Sequence, residues 1–302
     1  MDTVAPKVPG MLAAPTRPWL VRAAGAARFL GQSLREAAEL AWNGQHEHHL
    51  LLAGHWARFR TKHFLEKLSP RFRFHRETAF GSEFEFVDYF NFISTFHILF
   101  LTEDYRFCPR SARPRILDCG SNIGISVFWF KRRFPDATIV AFEPDPATFA
   151  LLRRNVEHNR WTGIELHNEA VCASDGPQRF FYDPAHPGSV IMSLRRECGL
   201  PACEEVAGVR LSQFIREEVD LLKLDVEGAE VEVLEDLAAT GRLPLLRAIV
   251  MEYHPAYFSG PQVFRSLTAL LEQHGFRWEI RGGTLEGNEQ VTVFAERPAS
   301  CS

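Results

Sequence analysis

The residues with the clearest chemical purpose form a turn of the pattern D-x-G-x-x-x-G. Asp118, Gly120 and Gly124 follow the apolar residues Ile116 and Leu117, which suit a buried parallel strand. Glycine has no Cβ, so the backbone can turn sharply here and a ligand can approach the N-terminus of the following helix. The pattern therefore predicts a strand, a glycine turn and a helix that together bind a small ligand.

A carboxylate stands at the end of the next predicted strand. Glu143 follows the apolar residues 139–142, about twenty residues beyond the glycine turn, as in nucleotide-binding folds. At that position an acid can accept hydrogen bonds from both hydroxyls of a ribose. The turn and the carboxylate together predict a pocket for a cofactor that contains adenosine.

The turn also favours one adenosine cofactor over another. Dinucleotide-binding enzymes usually carry three glycines as G-x-G-x-x-G, which fit a pyrophosphate against the helix. Here Asp118 takes the first position, where its charge would repel a pyrophosphate but could hold an ammonium group, directly or through water. S-adenosylmethionine has an ammonium, a sulfonium and a ribose but no phosphate, so we expect this cofactor. An oxidoreductase that uses NAD is the less favoured alternative.

Two later strands are expected to end in groups that can move a proton. Asp225 is expected to be the last residue of the fourth strand, and Glu252 and His254 share one face at the end of the fifth. An alcohol that attacks an activated methyl group must lose a proton, and histidine is the commonest base near neutral pH. We therefore expect a catalytic set in which His254 is the first candidate base, Asp225 the second, and Glu252 lies beside them.

The same region contains enough carboxylates for a metal site. Asp225, Glu227 and Glu252 could hold a hard divalent cation, since carboxylate oxygens are the ligands such ions prefer. Nothing in their spacing demands an ion, so the expected site contains no metal. A divalent cation on these three residues remains the alternative.

The elements that must position these residues alternate between helices and strands. The expected order after the glycine turn is helix 148–159, strand 164–172, hairpin strand 178–182, an irregular stretch to 208, strand 220–225, helix 229–240, strand 246–254, helix 261–274 and strands 276–281 and 291–296. The link between the last two strands is too short for a crossover helix, so the last strand must be antiparallel. The order predicts an α/β fold with a doubly wound, seven-stranded sheet.

Six segments resemble the FkbM-type methyltransferases. They are DCGSNIGISVFWF, AFEPDPATFALLRRNVEHN, LHNEAVCASDG, VRLSQFI, LLKLDVEGAEVEVLEDL and IVMEYHP. The resemblance covers roughly residues 80–297, and LLKLDVEGAE is its most specific part. It implies a Rossmann-like class I methyltransferase fold, S-adenosylmethionine as cofactor and, most often, methylation of a hydroxyl on a sugar or natural product. Some members methylate nitrogen, so an N-methyltransferase acting on a peptide or amine remains the alternative.

The resembling motifs also suggest which residues meet each part of the cofactor, because ligands bind beyond the carboxyl ends of parallel strands. The expected contacts are Asp118, Gly120, Asn122 and Gly124 at the methionine end, Glu143 at the ribose, Glu169 and Ala170 near the adenine, and Asp225 near the transferred methyl group.

Residues 1–75 match nothing that we can assign and are expected to form an extension. Its first 18 residues are rich in Pro, Ala and Gly and are expected to be disordered, and two helical runs follow. Residues 1–76 hold twelve Lys or Arg against five Asp or Glu, which we interpret as a solvated basic helix face. We expect residues 76–302 to form the methyltransferase domain, and the helices of the extension offer a surface for a homo-oligomer.

The bulk composition is that of an ordinary globular protein, with 46% hydrophobic and 24% charged residues in 302. No apolar run approaches the roughly 18 residues that a membrane span needs. The six cysteines are scattered and form no paired C-x-x-C set, which favours a reduced, cytoplasmic protein. The expected partner is a small-molecule acceptor, with no nucleic acid.

Overall fold

The computed structural model describes residues 18–43, 48–69, 71–185, 192–196, 199–258, 260–284 and 290–298. Contacts between residues divide the chain into two compact units, Met1–Phe72 and Arg73–Ser302. The expected disordered start, apart from its last residue, lies outside the described residues. Of the helices in the described ranges, none combines the length and apolar character that crossing a bilayer demands.

The first unit contains two helices that pack on each other, as the sequence predicts. They are α1 (Pro18–Asn43) and α2 (His49–Leu68). The indole of Trp56 donates a 2.9 Å hydrogen bond to Glu36 of α1, and the guanidinium of Arg60 lies 4.1 Å from the ring centroid of Phe29. Aromatic and polar contacts therefore join the pair.

The second unit begins with a hairpin and an aromatic helix. The hairpin strands are β1 (Arg76–Ala79) and β2 (Ser82–Glu85), and α3 (Tyr89–Phe96) continues as a π-helical turn over His97–Leu101. The rings of this region are largely buried and stack on one another, as between Phe96 and Phe100 at 4.4 Å. The aromatic stripe in the sequence is therefore mainly core.

A seven-stranded sheet forms the centre of this unit. Its strands are β3 (Arg115–Cys119), β4 (Thr138–Phe142), β5 (Ile164–His167), β9 (Val219–Leu224), β10 (Leu246–Tyr253), β11 (Arg277–Gly282) and β12 (Val291–Glu296). They lie in the order β11-β12-β10-β9-β3-β4-β5. The strands from β10 to β5 are parallel, and β12 is antiparallel to both of its neighbours. This confirms the expected sheet with its antiparallel last strand.

Helices follow the parallel strands. They are α4 (Ile125–Arg133), α5 (Pro146–His158), α6 (Glu230–Ala239) and α7 (Gln262–Gln273). Asp145 caps α5 by accepting a 2.7 Å hydrogen bond from the amide of Thr148. Leu234 of α6 and Leu267 of α7 belong to the same buried cluster as sheet residues such as Leu222. These contacts hold the strand ends, and the loops on them, in fixed positions.

A second, three-stranded sheet corrects two expectations. Its strands are β6 (Ala170–Cys172), β7 (Gly176–Tyr182) and β8 (Ala202–Arg210), in the order β6-β8-β7. The expected strand 164–172 is wrong because Asn168 donates to the carbonyls of Glu143 and Pro144, and the chain changes sheets there. The expected irregular stretch to residue 208 is wrong because β8 pairs antiparallel with β7.

Candidate active site

A cavity of about 520 Å³ lies at the carboxyl ends of the parallel strands. Eight of the ten residues expected at the site contribute to its lining. They are Gly120, Asn122, Glu143, Glu169, Ala170, Asp225, Glu252 and His254. The described lining does not include Asp118 or Gly124. The fold therefore brings residues from the ends of five strands, far apart in sequence, to one space.

The two glycines of the turn have positive φ and lie close to other parts of the chain. Gly120 has φ of +80°, and a Cβ there would lie 1.9 Å from the carbonyl oxygen of Asp225. Gly124 has φ of +92°, and a Cβ there would lie 2.8 Å from a methyl carbon of Leu152. Ordinary side chains would meet these atoms and would also be strained at positive φ. Close packing against the backbone of Asp225 thus explains Gly120, which also borders the cavity, whereas the positive φ is the main reason for glycine at position 124.

Asp118 lies beneath the turn, inside β3, and is fully buried. The hydroxyl of Ser126 donates a 2.6 Å hydrogen bond to its Oδ2, and the ammonium of Lys223 lies 3.6 Å from its Oδ1. Burial raises the pKa of Asp118, and the charge of Lys223 opposes that effect. The ammonium that lies beside Asp118 in this structure is therefore that of an internal lysine, and a contact of Asp118 with the cofactor stays a prediction.

Lys223 is the site residue that sequence reasoning missed. It lies in β9 and donates to the carbonyls of Cys119 and Gly120 and, at 3.1 Å, to Oδ2 of Asp225. Burial disfavours its charge, but the carboxylates of Asp225, Asp118 and Glu252 outweigh burial and raise its pKa. The sequence could have indicated this residue, since a lysine within an apolar strand that is buried on both faces of the sheet needs buried partners.

Glu143 follows β4 and presents a fixed carboxylate to the cavity. Its Oε1 accepts a 3.0 Å hydrogen bond from the amide of Asp145, and its Oε2 accepts one of 3.0 Å from the amide of Asn122. The residue is only 4% exposed. Burial is the main reason that the pKa of Glu143 rises to about 8. The carboxylate is thus held in place by backbone groups and would gain from further hydrogen-bond donors.

Glu169 and Ala170 lie at the edge between the two sheets. The Oε2 of Glu169 is 3.1 Å from Nδ1 of His167, whose ring stacks on Phe142 with 5.0 Å between centroids. Ala170 is the first residue of β6 and is buried. The adjoining wall of the cavity is apolar, with Phe180, Met192, Leu194 and Leu200. This part of the cavity suits a flat, largely apolar group with a polar edge.

Glu252 is held by two donors from distant parts of the chain. The hydroxyl of Tyr105 donates to its Oε1, and the side-chain amide of Gln290 donates to its Oε2. Burial, followed by the charge of Asp225, raises the pKa of Glu252 to about 7. The carboxylate therefore gains and loses a proton close to neutral pH. Sequence spacing gave no signal for either donor.

His254 lies between two carboxylates. Its Nδ1 is 3.2 Å from Oε1 of Glu230, and its Nε2 is 3.4 Å from Oε2 of Glu227. Burial alone would lower the pKa of His254, but the hydrogen bond that its ring donates to Glu230 and the charge of Glu227 outweigh burial and raise the pKa to about 10. An imidazolium that carries both ring protons cannot accept another. The geometry therefore disfavours His254 as the first candidate base.

Asp225 lies one residue beyond β9, not inside the strand as expected. Its amide donates a 3.1 Å hydrogen bond to the carbonyl of Cys119, so the ends of β9 and β3 are joined beside Gly120. Glu227 follows with φ of 52°, and the hydroxyl of Tyr257 donates to its Oε2 at 3.1 Å. The loop thus turns two carboxylates toward the same space.

Known proteins resemble this chain over the part that forms the site. The family profile described as "Methyltransferase FkbM domain" matches residues 118–278. A protein named "Methyltransferase 1" from Beauveria bassiana is 32% identical over 46% of this chain and 64% of its own length. The "31-O-demethyl-FK506 methyltransferase FkbM" from Streptomyces tacrolimicus is 31% identical over 61% of this chain and 81% of its own length.

A solved structure with the same family name is also similar. The FkbM methyltransferase of Methylobacillus flagellatus aligns with 91% of this chain and 59% of its own chain, at 14% identity and a TM-score of 0.44. At that TM-score the alignment adds nothing to the family assignment.

The mixed seven-stranded sheet and the cavity at its strand ends define a class I methyltransferase. The chain belongs to the FkbM methyltransferase family, whose profile covers more than half of it. Its cofactor is accordingly S-adenosylmethionine, and the NAD-linked alternative is set aside. The cavity fits this cofactor, because its described lining includes Glu143, which can bind ribose hydroxyls, and Asp225 and Glu252, which suit a sulfonium and an ammonium better than a pyrophosphate.

Proposed function

We propose that this chain transfers a methyl group to a hydroxyl oxygen of a small molecule, a sugar or another natural product. The main support is that Glu143, at the end of β4, lines the same cavity as Asp225 and Glu252, at the ends of β9 and β10. A cofactor and an acceptor can therefore lie side by side in it. The name of the Streptomyces relative states that it methylates an oxygen of FK506, which supports an oxygen acceptor.

We assign the cofactor-holding role to the turn after β3 and to the tips of β4 and β6. Gly120 and Asn122 would face the methionine part, Glu143 the ribose hydroxyls, and Glu169 with Ala170 the adenine. Asp118 would act through Lys223, which holds the turn. S-adenosylmethionine supplies a methyl group activated by a positively charged sulfur, so the protein needs mainly to align the acceptor and remove its proton.

Glu252 is the proposed proton acceptor in place of His254. Its pKa of about 7 leaves a large fraction of the carboxylate free at neutral pH, and it borders the cavity. When an alcohol attacks, its proton would pass to Glu252 as the carbon–oxygen bond forms and the bond from the methyl carbon to sulfur breaks, which would leave S-adenosylhomocysteine. Asp225, fixed by Lys223, lies on the same side and stabilises positive charge near the reacting atoms.

A second candidate is methylation of an amine. Five carboxylate residues line the described part of the cavity, namely Glu143, Glu169, Asp225, Glu227 and Glu252, against the cationic residues Lys223 and His254. A lining with this excess of acids attracts a cationic acceptor, and Glu252 could equally deprotonate an ammonium. The apolar wall of the cavity, with Phe180, Met192, Leu194 and Leu200, would suit an alcohol and an amine equally.

The test is methyl transfer from labelled S-adenosylmethionine to two matched panels, hydroxylated sugars or natural products and amines of similar size. Mass spectrometry identifies the methylated product, and NMR locates the new methyl group on oxygen or nitrogen. We expect O-methyl products, with Glu252→Gln nearly inactive. N-methyl products alone would replace the first proposal by the second, and an equally active Glu252→Gln would remove Glu252 from the mechanism.

A further inference from the structure

We propose that Asp225, Glu227 and His254 form a binding site for one divalent cation at the edge of the cavity. One ligand atom from each residue lies within 4.8 Å of the other two. An ion with ligand distances of about 2.3–2.6 Å can bridge atoms up to about 5 Å apart, and a smaller ion such as Mn²⁺ needs only a slight contraction. Carboxylate oxygens suit Mn²⁺ and Mg²⁺, and the imidazole favours a transition metal, so this set fits Mn²⁺ better than Mg²⁺.

A buried carboxylate fixes which nitrogen of His254 faces the cluster. Glu230 is fully buried, and both of its oxygens accept a hydrogen bond from the amide of Gly228, at 3.0 and 3.1 Å. Its Oε1 also lies 3.2 Å from Nδ1 of His254. The Nε2 therefore points toward Glu227. An ion bound there would displace the Nε2 proton, since only a deprotonated ring nitrogen can bind a metal. A histidine oriented through its other nitrogen by a carboxylate is the usual arrangement behind a metal ligand.

The structure changes the ligand set that the sequence suggested. Glu252 was part of that set, but it is not among the residues whose ligand atoms lie within 4.8 Å of one another. His254 takes its place in the cluster. Lys223 binds Asp225 through Oδ2, and a carboxylate can bind a lysine through one oxygen and an ion through the other.

The charges around the cluster call for a cation. The carboxylates of Asp225, Glu227, Glu230 and Glu252 face it from three elements, against the lysine of β9 and the histidine itself. Tyr257 and Tyr105 add neutral hydroxyl donors. A divalent ion would offset the excess, and bound ions are often the largest local charges in such sites. The ion would hold the attacking oxygen of the acceptor and favour loss of the proton from that oxygen. This role rests on the proposed O-methylation, whereas binding of the ion does not.

The test is titration of the full chain with Mn²⁺, with free ion measured by electron paramagnetic resonance in the absence of acceptor. We expect one saturable site and spin-echo modulation from one imidazole nitrogen. His254→Ala should remove the modulation, and His254→Ala and Glu227→Gln should each weaken binding by about 100-fold. Glu230→Gln should weaken it by about 10–100-fold, as for other residues that orient a ligand.

The matched control is Glu232→Gln, an acid of α6 that pairs with Arg195 outside the cluster, and its Mn²⁺ affinity should equal that of the wild type. Binding of S-adenosylhomocysteine verifies that each variant is folded. If one of the cluster variants does not fold, Asp225→Asn is titrated with Mn²⁺ in its place. Wild-type protein without a saturable site below millimolar Mn²⁺, or affinity unchanged in the cluster variants, overturns the proposal. A chain that binds Mn²⁺ here but methylates no hydroxyl keeps the cation site and loses the proposed function.

Discussion

The ammonium of Lys223 lies 3.1 Å from the carboxylate of Asp225, at the end of the strand where the cavity opens. The same ammonium reaches the buried Asp118 and the carbonyls of the glycine turn. One side chain therefore joins the ends of β3 and β9 and balances two carboxylates. The turn after β3 and the loop after β9 depend on this lysine for their relative position.

Lys223→Met should strongly destabilise the protein. The substitution leaves Asp118 fully buried without a cation, and breaking a buried pair costs about 3–5 kcal/mol. Urea unfolding at neutral pH measures the loss. Lys131→Met is the control, since Lys131 is also largely buried but donates to the carbonyl of Ala137, away from the cavity. Equal losses in the two variants would show that Lys223 has no special part in the site.

Gly120→Ala should be far more damaging than Gly176→Ala. Both glycines have positive φ, where an L-residue costs about 1–2 kcal/mol. Only at Gly120 would the new Cβ collide with backbone, whereas at Gly176 nothing lies within 4 Å. Overpacking adds about 1–3 kcal/mol. Thermal unfolding and S-adenosylhomocysteine binding measure both variants. Similar behaviour of the two would contradict the close approach of Asp225.

The sequence was sufficient for the parts of the site that follow local rules. The glycine turn, Glu143 and the antiparallel last strand depend on residue type, strand ends and loop length. β8 was missed because charged residues in ACEEVAGVR obscure its alternation, and its pairing with β6 and β7 is a tertiary feature. The donors of Glu252 and the partners of His254 were missed for a different reason. Tyr105, Gln290 and Glu230 reach the site through the tertiary fold, which spacing along the chain does not reveal.

The raised pKa of Glu143 has a consequence for stability. Its pKa is about 8 in the folded protein against 4.5 for the ordinary group, so the folded state binds the extra proton. The stabilising contribution is complete below about pH 4.5 and is lost as pH rises toward 8, by up to about 1.4 kcal/mol per pH unit. Unfolding free energies of wild type and Glu143→Gln from pH 5 to 9 test this. The wild type should show the steeper decline, and parallel curves would contradict the burial of an ionisable group here.

The pH dependence of catalysis should report Glu252. Because the base must be deprotonated, kcat/KM should rise with pH through an apparent pKa of about 7. Glu252→Gln should lower the rate by about 10²–10⁴-fold while S-adenosylhomocysteine binding is retained. The hydrogen bond from Tyr105 lowers the pKa of Glu252, so Tyr105→Phe should move the profile to higher pH. A profile that Tyr105→Phe leaves in place would assign the titration to another group.

Calorimetric titration with S-adenosylhomocysteine would show whether S-adenosylmethionine binds at the ends of β3 and β4. Wild type should bind it at micromolar concentration and should not bind NAD. Glu143→Ala should lose most of the affinity, whereas Glu157→Ala, which removes an exposed acid of α5, should bind like the wild type. Binding of NAD, or equal affinity for S-adenosylhomocysteine in the two variants, would contradict an S-adenosylmethionine site at Glu143.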